Sequence, residues 1–328
     1  MRTWLRRTSL ERHQVAIYLC AFVAGGLAGT LTSRVPAVAE HLVTPALAAL
    51  LFLTFLQVPV AGLVTAWRDW RFTLALVAIN FVAVPAVVAV LALAMPESDP
   101  VRLGMLIVLL CPCVDYVIVF SGLAGARSDR LLAATPLLLV AQFLLLPVYL
   151  TMIDGRGSVD TIDPTPFAVA FVSLIVVPLM CAWAVQWWAH NSTAREATVR
   201  RLEIAMVPLM ALVVALVAAS QVARLGADLS TVAGALWIYV VFLVLMPAIG
   251  WIIGRALRLD TGSIRAVAFS GATRNSLVVL PLALSLDEGA RLAATAVVAQ
   301  TAVELVGMVV FVRVIPLLIR ARSYPRER

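Results

Sequence analysis

Two long apolar stretches of this chain are each interrupted near the centre by residues that break a helix. The first stretch runs from Val101 to Gly122 and contains Cys111-Pro112-Cys113-Val114-Asp115. The second runs from Ala266 to Leu286 and contains Ser270-Gly271-Ala272-Thr273-Arg274-Asn275. Pro112 lacks the amide that a helix requires, and Gly271 relaxes the backbone. Each stretch is therefore predicted to form two half-helices that meet at an unwound centre.

A charged residue follows each break, Asp115 in the first stretch and Arg274 in the second. Charge at membrane depth is costly and marks a transport pathway by default. Interrupted segments in corresponding positions of two halves point to the substrate site of a secondary transporter. We therefore expect a transporter rather than a membrane scaffold or sensor. We also expect no enzyme, since no nucleophile–base pair or metal cluster is evident, and no cofactor beyond a coupling ion, H⁺ or Na⁺.

The composition predicts an all-α integral membrane protein. Of the 328 residues, 62% are hydrophobic and 13% charged, and the mean hydropathy is +1.01. A spanning helix needs roughly 20 apolar residues. Ten runs are long enough, near residues 15–33, 43–66, 72–95, 101–124, 131–152, 167–189, 204–223, 231–256, 263–286 and 290–318.

The basic residues predict which loops face the cytoplasm. All 25 are Arg; 18 lie in the two termini and in the loops at 67–71, 125–130, 190–203 and 255–265. The opposite loops hold 5. Because cytoplasmic loops carry an excess of Lys and Arg, both termini are expected on the cytoplasmic side of the cell membrane. The net charge of +7 follows from this bias. The expected partners are therefore lipid and a small solute, with no nucleic acid.

The ten spans divide into two sets of five around a linker near 153–166. An odd number of spans in each half makes the second half inverted, so the fold is predicted to be two inverted five-helix repeats. The two halves share features at corresponding positions: the fourth and ninth spans are broken, and the fifth and tenth spans carry amide side chains. The corresponding residues are Pro59 with Pro208, Pro85 with Pro247, and Gln142 with Gln300.

The residues at the first break are candidate ligands for the solute. Asp115 would begin a half-helix, where its carboxylate gains from the helix dipole; it could also pair with Arg274, and both roles fit a gate. Cys111 and Cys113 are two of four cysteines. Buried cysteines usually act as small hydrophobes, but thiols that flank a helix break also suit a soft, thiophilic centre. No metal-ion site is predicted, although Cys113 is a candidate metalloid ligand.

The tenth span carries a candidate for ion coupling. Glu304 follows Gln300 by four residues, which places both side chains on one face of a helix. Apolar surroundings favour the neutral form of a carboxyl group, which suits a proton carrier. A pair with Arg313 or Arg274 is the alternative. Asn80 and Gln142 are expected to be polar anchors between helices, with substrate contact as their second role.

The chain resembles the bile acid/arsenite transporter superfamily, and within it the arsenite permeases. The resemblance lies in Pro112-Cys113 of the fourth span, Ala272-Thr273-Arg274-Asn275 of the ninth and Val303-Glu304 of the tenth, with Asn80 and Pro85 in the third. It covers nearly all of 15–318 in order. Asp115, Tyr116 and Cys111 depart from the pattern of the arsenite permeases.

The resemblance implies a panel domain of spans 1, 2, 6 and 7 and a core domain whose fourth and ninth helices cross. The corresponding segments are an arm (1–14), panel parts (15–71 and 153–230), core parts (72–152 and 231–319) and a tail (320–328). The solute site expected from the residues at the two breaks includes Cys111, Cys113, Asp115, Thr273, Arg274 and Asn275. The leading expectation is efflux of a trivalent metalloid such as arsenite by proton antiport. The alternative is sodium- or proton-coupled symport of a small organic anion.

Overall fold

A computed structural model describes residues 9–32, 34–57, 69–113, 116–154, 169, 172–190, 192–284 and 290–320. Within these ranges the secondary structure is helical, and the β-geometry is one isolated bridge between Pro112 and Arg274. The predicted all-α class is therefore confirmed for the described part of the chain. Four residues named above, Pro59, Val114, Asp115 and Leu286, lie outside it.

The described chain forms thirteen α-helices and two short π-helical segments. The first seven helices are α1 (Ser9–Leu31), α2 (Arg34–Leu56), α3 (Trp70–Ala78), α4 (Val84–Ala92), α5 (Asp99–Leu110), α6 (Tyr116–Leu123) and α7 (Ser128–Asp154). The next six are α8 (Val177–Ala189), α9 (Thr193–Ile204), α10 (Met206–Ala256), α11 (Thr261–Ala272), α12 (Ser276–Leu284) and α13 (Ala290–Leu318). The π-helical segments are Ile79–Ala83 and Val172–Val176.

Five of the described helical stretches are long and apolar enough to cross a membrane. They are Val35–Leu56, Trp70–Ala92, Leu137–Asp154, Ala233–Ala256 and Arg291–Leu318. Ala16–Leu31 and Met206–Ser220 are shorter apolar helices. The chain is thus a multi-pass membrane protein, whereas ten separate spans remain a prediction.

Both predicted helix breaks are confirmed. Helix α5 ends at Leu110, and Cys111 is extended, with φ −96° and ψ 112°. Helix α11 ends at Ala272, and Thr273 is likewise extended, with φ −97° and ψ 138°. Helices α6 and α12 then resume on the far side of each break. Each of these two predicted spans therefore contains two half-helices, and the backbone is extended where the first half-helix ends.

The third predicted span contains a π-helical segment, Ile79–Ala83, between α3 and α4. The cause lies one turn later, because Pro85 has no amide to donate to the carbonyl of Phe81. The Tyr149 hydroxyl of α7 donates to that carbonyl at 2.8 Å instead. Such π-bulges occur often at functional sites. Here the bulge includes the buried Asn80.

Helix α10 differs from the sequence prediction. Residues 224–230 were expected to form a loop between two spans, but the backbone is helical throughout Met206–Ala256. At 1.5 Å per residue these 51 residues rise roughly 77 Å, more than twice the hydrocarbon thickness of about 30 Å. The connecting sequence, Arg-Leu-Gly-Ala-Asp-Leu-Ser, is without Pro and contains good helix formers. Helical backbone can therefore continue through it.

Two further boundaries were predicted incorrectly. Helix α2 begins at Arg34, nine residues before the predicted span at 43. The expected loop at 190–203 contains helix α9. In both segments Ala, Arg, Glu and Leu favour helix, so hydropathy placed the apolar core of each span better than its ends.

Side chains near the ends of the core helices contact one another in two separate groups. Arg130 forms ion pairs with Asp69 and Asp260, and Arg265 donates to the carbonyls of Ala124 and Ile319. All of these residues lie in or beside segments that the Arg pattern assigned to one side of the membrane. Their contacts are those expected of neighbours on one side.

The second group lies at the other ends of the same helices. Arg102, at the start of α5, forms a buried ion pair with Asp154, at the end of α7, with 3.4 Å between Nε and Oδ1. Arg102 also donates to the carbonyl of Ala92 at 2.6 Å. The Arg pattern assigned these ends to the opposite side. In predicted spans 3, 4 and 5, the ends assigned to one side of the membrane therefore lie together, and so do the ends assigned to the other side.

Candidate functional site

The two unwound segments meet and pair through their backbones. The Cys113 N–H donates to the Thr273 carbonyl at 3.2 Å, and the Asn275 N–H donates to the Cys111 carbonyl at 2.8 Å. Pro112 and Arg274 face each other between these two bonds. The breaks of the two helices therefore meet, and we call the residues 111–113 and 273–275 the crossing.

Pro112 fits the crossing because its position needs no amide. In an antiparallel ladder, paired residues alternate between those that exchange hydrogen bonds and those whose N–H groups point away from the partner. Pro112 and Arg274 form a pair of the second kind. The Arg274 N–H, which points away, donates to Glu304 Oε2 at 2.8 Å. An amide at position 112 would also point away from the ladder and would need its own buried acceptor. Proline has no N–H, so no such acceptor is required.

The guanidinium of Arg274 is fully buried and held by oxygen atoms. Its Nη2 donates to Ser270 O at 2.6 Å, Gly271 O at 2.8 Å and Asn80 Oδ1 at 3.0 Å. Its Nη1 donates to Leu109 O at 3.4 Å. The ring of Phe242 lies 5.5 Å from the guanidinium carbon, within cation–π range. Arg274 thus links both broken helices to the third and eighth predicted spans.

Asn80 orients its oxygen towards Arg274 because its nitrogen is already engaged. Asn80 Nδ2 donates to Leu76 O at 3.0 Å and to Ser270 Oγ at 2.9 Å. Asn80 therefore contacts its own helix, Ser270 of α11 and Arg274 at once. Sequence reasoning missed Ser270 and Phe242 as partners. The position of Ser270 one turn before Arg274 was an available signal, whereas nothing in the sequence marked Phe242.

Glu304 and Gln300 lie on one face of α13, as predicted from their spacing. Gln300 Nε2 donates to Glu304 Oε2, the same oxygen that accepts from the Arg274 N–H. Both side chains are buried. Arg313, considered as a partner for Glu304, is exposed. Glu304 is therefore hydrogen-bonded to the crossing through the backbone N–H of Arg274, the residue that carries the positive charge.

Both thiols of the first break are buried. Cys111 lies beside Gln142 of α7, and Cys113 lies at the point where its own amide joins the ladder. In extended backbone, residues two apart project to the same side. This geometry favours a common orientation of the two thiols. Among the described residues, no group of three His, Cys, Asp or Glu side chains is placed to hold a metal ion.

Several buried polar atoms near the crossing have no hydrogen-bond partner among the described residues. They include Gln142 Nε2 and Oε1, Asn275 Nδ2, Ser276 Oγ and Gln300 Oε1. An unsatisfied buried polar group costs about 1–3 kcal/mol. Such groups at a helix break are therefore candidate contacts for a polar solute.

Thr273 and Asn275 have local roles that sequence reasoning did not predict. The Thr273 hydroxyl donates to Phe269 O at 2.8 Å, one turn back on its own helix. Asn275 Oδ1 accepts from the Val278 N–H at 3.1 Å and so caps the first turn of α12. The amide nitrogen of Asn275 is the part left for a solute. Asp115, which was expected to begin the half-helix after the first break, lies outside the described residues.

The cleft beside Glu304 is closed. Its walls come from α5, α10, α11 and α13 and enclose no volume that a water molecule could enter. The lining includes Tyr239, Phe242, Gln300 and Glu304. A solute could reach Glu304 from this side only after these helices separate.

Broken helices that meet at a buried charged residue in a multi-pass membrane chain are typical of transporters. The sequence model of the SBF-like CPA transporter family matches residues 15–310, and the chain belongs to that family. This membership agrees with the superfamily that the sequence resembles. No curated protein matches the chain.

Proposed function

We propose that this chain is a secondary active transporter of the cell membrane that exports a trivalent metalloid, such as arsenite or antimonite, in exchange for protons. The observation that carries the proposal is the burial of two thiols, Cys111 and Cys113, on either side of Pro112 in the crossing. Soft thiolate ligands select soft, thiophilic centres. Family membership supports transport, and the thiols support this class of solute.

The chemistry at the thiols requires no oxidant. Arsenite at neutral pH is the hydroxide As(OH)₃, in which arsenic has three bonds to oxygen. Each thiol that binds replaces one hydroxyl group: a sulfur–arsenic bond forms, an arsenic–oxygen bond breaks, and the thiol proton leaves with the hydroxyl as water. The oxidation state of arsenic does not change, and water reverses the reaction on release. Two thiols leave one hydroxyl, which Gln142 beside Cys111 is placed to bind.

Glu304 is the proposed proton carrier. Its Oε2 accepts hydrogen bonds from the Arg274 N–H and from Gln300, and protonation would weaken both bonds. Because the first of them joins α13 to the crossing, the protonation state of Glu304 would change how firmly the crossing is held. Proton binding and solute binding would thereby be coupled through one backbone contact.

A small organic anion is the second candidate solute, moved by proton- or sodium-coupled symport. The observation that favours it is the N-terminus of α12, where Asn275 Nδ2 and Ser276 Oγ lack partners among the described residues. Helix N-termini carry partial positive charge and bind anions. A carboxylate at this position would accept hydrogen bonds from both groups.

Uptake into everted membrane vesicles tests the proposal. Vesicles that contain the chain should accumulate arsenite and antimonite when a proton gradient is present, and collapse of the gradient should abolish accumulation. Vesicles without the chain are the control. Absence of metalloid uptake in everted vesicles, together with gradient-driven uptake of small carboxylates into right-side-out vesicles, would exclude the metalloid assignment in favour of the second candidate.

A further inference from the structure

The oxygen atoms around Arg274 have the chemistry of a cation site. Leu109 lies in the last turn of α5, and Ser270 and Gly271 lie in the last turn of α11. The last four carbonyls of a helix have no intrahelical donor and carry partial negative charge. In broken membrane helices, such carbonyls coordinate coupling cations. The two C-terminal ends therefore point their carbonyl oxygens at one place, and the guanidinium occupies it.

The remaining contacts complete the enclosure. Asn80 Oδ1 contributes a fourth oxygen, and its direction is fixed because Asn80 Nδ2 is bound to Leu76 and Ser270. Phe242 presents its ring to the guanidinium at 5.5 Å, an arrangement that attracts cations. Four oxygens and an aromatic ring thus surround one buried positive charge. Hard monovalent and divalent cations prefer carbonyl and amide oxygens of this kind.

We propose that the Arg274 guanidinium is a built-in cation that fills the cation site of the crossing, so that no sodium ion binds there in the wild-type protein. An arginine stays protonated at any physiological pH and cannot dissociate. It therefore provides the charge that neutralises the carbonyl ends in every state of the carrier. Removal of the side chain exposes the same oxygens, and these then bind Na⁺.

This inference rests on the proposed function, because it decides between the coupling ions of the proposed carrier. A fixed cation cannot be exchanged across the membrane. Sodium coupling at the crossing is therefore excluded, and a proton on Glu304, at the opposite side of the Arg274 backbone, remains the coupling ion. Arg274 determines ion specificity without being transported.

The test measures the thermal unfolding midpoint of the purified full-length chain in detergent, with Na⁺ as the probe. Wild type, Arg274→Ala and Arg274→Gln are purified throughout in sodium chloride and then exchanged into choline chloride of equal ionic strength. Arg313→Ala is the matched control, because Arg313 is an exposed arginine of α13. Sodium is then added back in steps, and lithium and potassium are tested in parallel.

The expected result is a midpoint that does not respond to Na⁺ in wild type and in Arg313→Ala. Arg274→Ala and Arg274→Gln should have lower midpoints in choline, and these should rise with Na⁺ concentration, as binding to the folded state requires. An Arg274 variant that unfolds when sodium is withdrawn would also support the inference, because its folded state would then depend on bound Na⁺. A Na⁺-specific rise in wild type would overturn the inference, and so would folded Arg274 variants that respond to no alkali cation.

No solute is present in this measurement, so its outcome is independent of the transport assay. Metalloid uptake that requires a proton gradient, combined with a sodium-stabilised wild type, would refute the built-in cation and leave the proposed function intact. A sodium response confined to the Arg274 variants, combined with no metalloid uptake, would support the built-in cation and refute the proposed function.

Discussion

The backbone N–H of Arg274 donates to Glu304 Oε2 at 2.8 Å, deep inside the protein. The bond exists because Arg274 faces Pro112 at a ladder position whose amides point away from the partner segment. A carboxylate on α13 is thereby joined to the crossing of the two broken helices. Movement of α13 away from the crossing would break this bond, and in the proposed mechanism it is the contact through which Glu304 acts on the crossing.

Cys113→Ser is expected to abolish metalloid transport while expression and folding stay intact. Oxygen replaces sulfur at similar size, and the ladder bond comes from the Cys113 backbone, so the substitution mainly removes soft-ligand affinity. Cys111→Ser should be less severe. The exposed Cys20 and Cys181 provide controls, since Cys20→Ser and Cys181→Ser should transport normally. Undiminished arsenite efflux by Cys113→Ser would reject thiol binding.

Arg102→Leu is expected to destabilise the protein strongly, because it leaves Asp154 as a buried charge without its ion-pair partner. Breaking a buried pair costs about 3–5 kcal/mol, whereas replacing both partners with apolar residues is often neutral. The double variant Arg102→Leu/Asp154→Leu should therefore recover most of the thermal stability. Arg127→Ala, which breaks an exposed pair with Asp129, should cost less than about 1 kcal/mol. Equal losses in all three variants would contradict the buried-pair account.

Asp260 should stabilise the fold at neutral pH and lose that effect in acid. Partial burial would raise the pKa of Asp260, but hydrogen bonds from Ser263 and the charges of Arg130 and Arg127 outweigh it and lower the pKa below its ordinary 3.8. A pKa that is lower in the folded state adds stability above the unfolded pKa, and this is lost as the pH falls through the folded value.

The comparison of Asp260→Asn with Asp260→Ala separates charge from capping. Asp260 also caps α11 by accepting from the Ser263 N–H at 3.0 Å. Asn retains the cap, so Asp260→Asn should cost only a few tenths of a kcal/mol at neutral pH, given its exposure to solvent. Ala loses the cap as well, for about 1 kcal/mol in total. Unfolding midpoints measured between pH 7 and 3 should converge for wild type and Asp260→Asn. A gap that persists at the acid end would argue against the charge effect.

The predicted topology places both termini in the cytoplasm, on the strength of the arginine distribution. Reporter fusions after Arg328 and within 154–166 should report opposite sides of the membrane. The same side for both would refute the ten-span arrangement. A further fusion within 224–230 should report the outside if α10 is divided into two spans in the membrane.

The helix breaks could be predicted from the sequence because their causes are local. Pro112 removes an amide and Gly271 relaxes the backbone, and the helices end within two residues of each. The spacing of Gln300 and Glu304 likewise determines that they share a face of α13. These features follow from the chemistry of single residues and the helical period.

The remaining features depend on contacts between distant segments, for which the sequence carries no local signal. The pairing of Pro112 with Arg274 and the position of Phe242 against the guanidinium are of this kind. The ion pair of Arg102 with Asp154 was missed because both residues lie at predicted span ends, where charge is ordinary. Residues 224–230 were predicted to form a loop because hydropathy falls there, although the backbone remains helical.

Solute transport by Glu304→Gln tests the central claim, that the carboxylate bound to the crossing is the coupling group. The amide oxygen of Gln can still accept from the Arg274 N–H, so the crossing should stay intact, while no proton can be gained or lost. In everted vesicles, proton-driven accumulation should fall at least about tenfold, equivalent to about 1.4 kcal/mol, while exchange of solute across the membrane persists. A Glu304→Gln protein that concentrates solute against its gradient with the pH dependence of the wild type would contradict the account.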